Sequence, residues 1–119
     1  MTMARDNMSE NQSKNLRKKL RQLAGMAYER ELAIASEALL QEFGRWKNKE
    51  INVFELSDLI HEFHNGISRE LYNCYSGHAT ACTFNVASAL HRGILTREEV
   101  GEEVFASIGG VITELFLNE

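Results

Sequence analysis

From Leu56 to Cys74 the apolar residues return at intervals of three and four: Leu56, Leu59, Ile60, Phe63, Ile67, Leu71 and Cys74. At 100° per residue they fall within an arc of roughly 120°, the mark of a helix with one buried face. A start signal stands just before them. Asn52 followed by Glu55 is an N-x-x-E capping box, and Ile51 with Leu56 occupies the positions of a hydrophobic staple. These predict a helix over about 53–75, ended at Ser76-Gly77, where Gly77 suits a left-handed cap. The chain contains no proline, so its strongest interior breaker of helices is missing throughout.

Three more helices follow from the same reasoning. Ser13 can cap a first one, in which Leu16, Leu20, Leu23 and Ala27 recur at helical spacing. A second stripe, Leu32, Ala35, Leu39, Phe43 and Trp46, continues it on a rotated face. Two halves of one helix over about 14–47 therefore meet different neighbours, with Gly25 as its weak point and fraying from Gly44. A third helix is expected over about 78–92, with Cys82, Val86, Ala89 and Leu90 inward, Gly93 at the C′ position and Arg92 against the dipole. Thr96 with Glu99 is a second capping box, and Leu95 with Val100 a second staple. They open a helix over about 97–117 through Val104, Ile108, Val111, Ile112 and Leu115, weakest at Gly109-Gly110. The fold class is all-α: a four-helix bundle-like domain over 13–119, behind a tail of residues 1–12 that lacks periodicity and is expected to be disordered.

Composition narrows the setting. The chain is 44% apolar and 25% charged, the balance of a globular protein rather than a disordered one. Its net charge of −4 provides no general basic field for nucleic acid. Two cysteines are too few for a secreted disulfide scaffold. The N-terminal residues carry no apolar signal core, and no run approaches the roughly 18 apolar residues of a membrane span. A cytoplasmic protein with no membrane partner is expected. A helix of some 30 residues, about 45 Å long, would overhang a compact domain about 35 Å across. Helix one must then bend at Gly25 or pack on a second subunit, and a homo-oligomer is predicted, with a dimer favoured.

The chemistry-bearing residues gather between His61 and Cys82. Asp58, His61 and His64 fall at i, i+3 and i+6, and are candidate ligands for zinc, iron or nickel. They fan round the helix, and a site would need a further ligand such as His78 or His91. Neither Glu-x-x-His nor HExxH occurs, so the plainer reading makes His61 solvated and places His64 at the edge of the core. Cys74, His78 and Cys82 would share a face only if the helix ran through Ser76-Gly77; otherwise the thiols act as small apolar residues. Glu70 lies at the edge of the apolar stripe and is the candidate buried charge, to be paired with Arg69 of the partner subunit, Arg30, Arg92 or His78. Tyr72 and Tyr75 would bring hydroxyls nearby.

Charge is uneven along the chain. Lys14, Arg17, Lys18, Lys19 and Arg21 crowd the start of helix one, against their own helix dipole, and form a candidate anion or nucleic-acid contact. An acidic last helix, with Glu98, Glu99, Glu102 and Glu103, offers a plainer partner for them. The short turn at "HRGILTREEV" resembles a helix-turn-helix connection only in length, since its second helix would repel phosphate. No nucleophile elbow or phosphate loop is present. The leading expectation is a protein that self-associates and binds protein partners, without a cofactor or chemistry of its own, through the stripe of helix one and the terminal helix. The alternatives are a nucleic-acid-associated regulator using the basic cluster, with nucleic acid not favoured, and a metal or small-ligand binder.

Overall fold

The computed structural model describes residues 2–77 and 79–114, and their side chains over 11–77 and 82–114. The elements among them are all helical: α1 (Thr2–Lys47), α2 (Val53–Phe63), a π-turn (His64–Ser68), α3 (Arg69–Tyr75), α4 (Ala79–His91), α5 (Arg97–Val100) and α6 (Glu102–Ile112). The all-α class stands. No helix among the described residues is long and apolar enough to cross a membrane. The chain forms two compact units, residues 28–76 and residues 1–27 with 77–119. The boundary at Tyr28 falls where the apolar face of α1 changes side.

The unit of residues 1–27 and 77–119 holds most of the buried apolar side chains. Leu20, Leu23 and Ala27 of α1 are buried, as are Val86 and Ala89 of α4, and Leu95, Val100, Val104 and Ile108 around α5 and α6. α1 starts at Thr2, through the stretch expected to be structureless, and passes Ser13 without using it as a cap. Residues 2–24 contain neither glycine nor proline and are rich in good helix formers, so nothing local stops the helix. α4 ends as predicted at Gly93, whose φ is 78°. Ile94 N donates to Ala89 O at 2.8 Å and Gly93 N to Leu90 O at 3.2 Å, the two bonds of a Schellman cap. The second capping box is also formed: Thr96 Oγ1 accepts from Glu99 N at 3.2 Å, and Glu99 Oε1 accepts from Thr96 N at 3.0 Å.

The single helix expected over 97–117 is broken. Gly101, at φ 81° and ψ 162°, separates α5 from α6, a conformation open essentially to glycine alone. Arg97 spans the break, its guanidinium 3.5 Å from the Phe105 ring centroid and 3.6 Å from Glu102. Gly109 and Gly110, the expected weak point, lie inside an unbroken α6. Leu115 and Glu119 fall outside the described residues.

Residues 28–76 form a helical hairpin. α1 ends in a second Schellman arrangement, with Glu50 N donating to Arg45 O and Lys49 N to Trp46 O, which holds Lys49 at φ 64°. The turn then delivers Ile51, buried, and Asn52, whose Oδ1 accepts from Glu55 N at 2.8 Å. Leu56 and Leu71 complete the buried set of this unit.

The second arm departs from the predicted continuous α-helix. The π-turn at His64–Ser68 interrupts it. A π-turn bonds i to i+5 and takes one residue more than an α-turn, so every later position is set back by about 100°. The inward line therefore steps from Phe63 to Ser68, Leu71 and Tyr75, while Ile67, Glu70 and Cys74 turn outward. Tyr75, brought inward, stacks on Tyr28 with ring centroids 5.2 Å apart and planes 7° off parallel. Its hydroxyl donates to Glu31 Oε2 at 2.5 Å.

Candidate functional site

The residues singled out in the sequence are distributed, not gathered. Asp58, His61 and His64 are all exposed, on α2 and the opening of the π-turn. Among the described residues, no three His, Cys, Asp or Glu side chains come together to hold a metal ion. His91 is exposed at the end of α4, and His78 lies outside the described residues. Cys74 is exposed, Cys82 half-buried, and neither forms a disulfide. Glu70, the candidate buried charge, is exposed. The phase set-back at the π-turn removed it from the core edge where a regular helix would have placed it.

Lys14, Arg17, Lys18, Lys19 and Arg21 are all exposed. Among the described residues none of the five is in a hydrogen bond or ion pair with another side chain. Among the described residues no carboxylate of the acidic segment forms an ion pair with them: Glu99 serves the Thr96 cap and Glu102 faces Arg97. Lys14, Arg17, Lys18 and Arg21 share an arc of about 100° on α1, turned away from Leu20, Leu23 and Ala27. Lys19 stands apart, its ammonium 2.9 Å from the point a β-carbon on Gly101 would occupy.

The stripe of helix one expected to await a partner is already covered. Leu20, Leu23 and Ala27 are buried within their own unit. Uncovered apolar surface sits in the hairpin instead. Among the described residues, nine of the ten large apolar side chains that remain exposed belong to residues 28–76, including Ile34, Leu40, Val53, Ile60 and Phe54, the last 78% exposed. Only Ile51, Leu56 and Leu71 are buried apolar residues there. A two-helix hairpin has no third element to cover its flanks, so each flank stays open.

One flank is a groove of about 390 Å³. Ala35, Ala38, Leu39 and Glu42 line it along α1. Leu59, Glu62 and Phe63 of α2, with Ile67 of the π-turn, form the opposite wall. Glu42 is held by Arg45 at 2.8 Å. By helical phase, Phe43 of α1 and Val53 and Ile60 of α2 lie on the other flank, away from Ala38 and Glu62. A second, more polar hollow lies at the hairpin turn, between Trp46, Lys49, Ile51 and Glu55.

The groove has no separate signal in the sequence, because its apolar residues Ala35, Leu39, Leu59, Phe63 and Ile67 belong to the two stripes that predict a core. Ile34, Leu40 and Phe54, apolar residues off those stripes, do signal exposed apolar surface elsewhere on the hairpin. The polar contact Tyr75–Glu31 had no local signal, since the pair is separated by the whole hairpin. Compared with protein-family models, with curated proteins and with solved structures, the chain matches none of them.

Proposed function

We propose that this chain acts by self-association and protein–protein interaction, without chemistry of its own, and that the hairpin of residues 28–76 is the interacting unit. The observation that carries this reading is the concentration of exposed large apolar side chains in that hairpin, set against the well-buried core of the other unit. Apolar surface gathered in one place marks an interaction site more than the same residues scattered singly do. Two hairpins laid flank to flank would complete a four-helix bundle, burying Phe43, Val53 and Ile60 of each copy. A two-fold dimer is the simplest closed form of that contact. The cytoplasm, where thiols such as Cys82 stay reduced, is the setting we assign to it.

Light scattering and sedimentation test the reading directly. The wild-type chain is expected to run as a dimer. Replacing Phe43, Val53 and Ile60 together by serine is expected to leave a monomer of unchanged helix content. A wild-type chain that stays monomeric at micromolar concentration overturns self-association.

A second reading, nucleic-acid association, is favoured by one observation: the five cations of residues 14–21 are exposed and unneutralised among the described residues, four of them on one arc.

A further inference from the structure

The geometry points to a partner for the groove that is not another copy of this chain: we infer that it docks a cationic amphipathic helix of a second protein. The inference rests on the reading of residues 28–76 as an interaction unit, and concerns the flank opposite Phe43, Val53 and Ile60.

Shape is the first argument. From Ala35 to Glu42 the groove follows α1 for about 10 Å, two helical turns. That length accepts apolar anchors at i, i+3 or i+4, and i+7 of a docked helix. Its α1 wall carries the small side chains Ala35 and Ala38, which let an incoming backbone approach closely, while Leu59 and Phe63 supply the apolar wall opposite.

Charge is the second argument and selects the occupant. The two charged residues lining the groove are Glu42 and Glu62, and no cation lines it. Arg45 already engages Glu42. Glu62 is exposed and has no side-chain partner among the described residues. A second copy docked here by a two-fold contact would set Glu62 against the same acidic rim, and like charges facing each other are costly. Lysines or arginines flanking the anchors of a partner helix would instead be attracted to it.

The test uses the full-length protein and a fluorescently labelled synthetic peptide with leucines at i, i+4, i+7 and i+11 and lysines between them. Anisotropy is expected to report saturable one-to-one binding. Glu62→Lys should weaken it roughly five- to ten-fold, by removing an attraction and adding a repulsion. Ala38→Trp, which fills the groove from its α1 wall, should abolish it. Glu62 is exposed, so its variant keeps the test decisive if the tryptophan variant loses helix content.

Three results overturn the inference: no saturable binding, equal binding to the Ala38→Trp protein, or equal binding of a peptide with glutamates in place of lysines. A change of oligomeric mass on Ala38→Trp also overturns it, by assigning the groove to a second copy. The serine variant of Phe43, Val53 and Ile60 separates the two readings, because it is expected to dissociate the dimer and leave peptide affinity unchanged.

Discussion

Gly101 and Gly110 should respond in opposite directions to the same substitution. Gly101 stands between α5 and α6 at φ 81° and ψ 162°. A β-carbon in that region costs about 1–3 kcal/mol. The Lys19 ammonium lies 2.9 Å from the point where that carbon would sit, but it is the end of a flexible chain and moves aside cheaply. Backbone strain therefore sets the magnitude. Gly110 lies inside α6, exposed, with nothing within 4 Å of an added β-carbon. There alanine stabilises a helix by about 0.5–1 kcal/mol relative to glycine. A chain of this size has an unfolding entropy of about 250 cal/mol/K, so 1 kcal/mol corresponds to about 4 °C.

Gly101→Ala should thus lower the melting temperature by about 4–12 °C, and Gly110→Ala should raise it by about 2–4 °C. Far-ultraviolet circular dichroism reads both, at one fixed protein concentration, because association itself adds stability. If residues 97–112 formed one continuous helix, as their apolar spacing predicts, both substitutions would stabilise. A Gly101→Ala protein as stable as the wild type, or a Gly110→Ala protein that loses several degrees, would refute the break and its strain argument.

Lys49 is held at φ 64° by the Schellman bonds that end α1, so Lys49→Gly should stabilise the chain by about 1 kcal/mol in urea denaturation; a loss of stability would contradict the assigned cap. If the basic arc of α1 contacts nucleic acid, the dependence of duplex binding on salt should flatten by about one unit of log–log slope for each of Lys14 and Lys18 replaced by alanine. An unchanged slope would remove that reading.

Local signals of helix termini were legible in the sequence. Asn52 and Glu55, Thr96 and Glu99, and Gly93 all act where their side chains or backbone freedom place them, because caps depend on residues within one turn. The start of α1 was not legible, since Thr2, Asp6, Asn7, Ser9 and Ser13 are all N-cap residue types and no apolar stripe before Leu16 chooses among them. The break at Gly101 had a signal that apolar spacing overrode: a glycine followed at once by Glu102 and Glu103, acids suited to a new first turn. The π-turn had none. Its single surplus residue is tolerated because Tyr75 gains a stack and a hydrogen bond that Cys74 could not make. That long-range exchange also explains why Glu70 is exposed.

The Tyr28–Tyr75 stack has a topological meaning. The backbone runs into the hairpin beside one ring and out of it beside the other, and the rings lie 5.2 Å apart. Residues 28–76 thus begin and end side by side, and the sequence of the other unit is split around them. A hairpin closed this way can be lengthened, shortened or exchanged while its ends keep their spacing, as inserted segments with neighbouring ends generally can. The glutamate that holds the outgoing tyrosine, Glu31, sits one turn along α1 from Tyr28, fastening the two ends of the hairpin together.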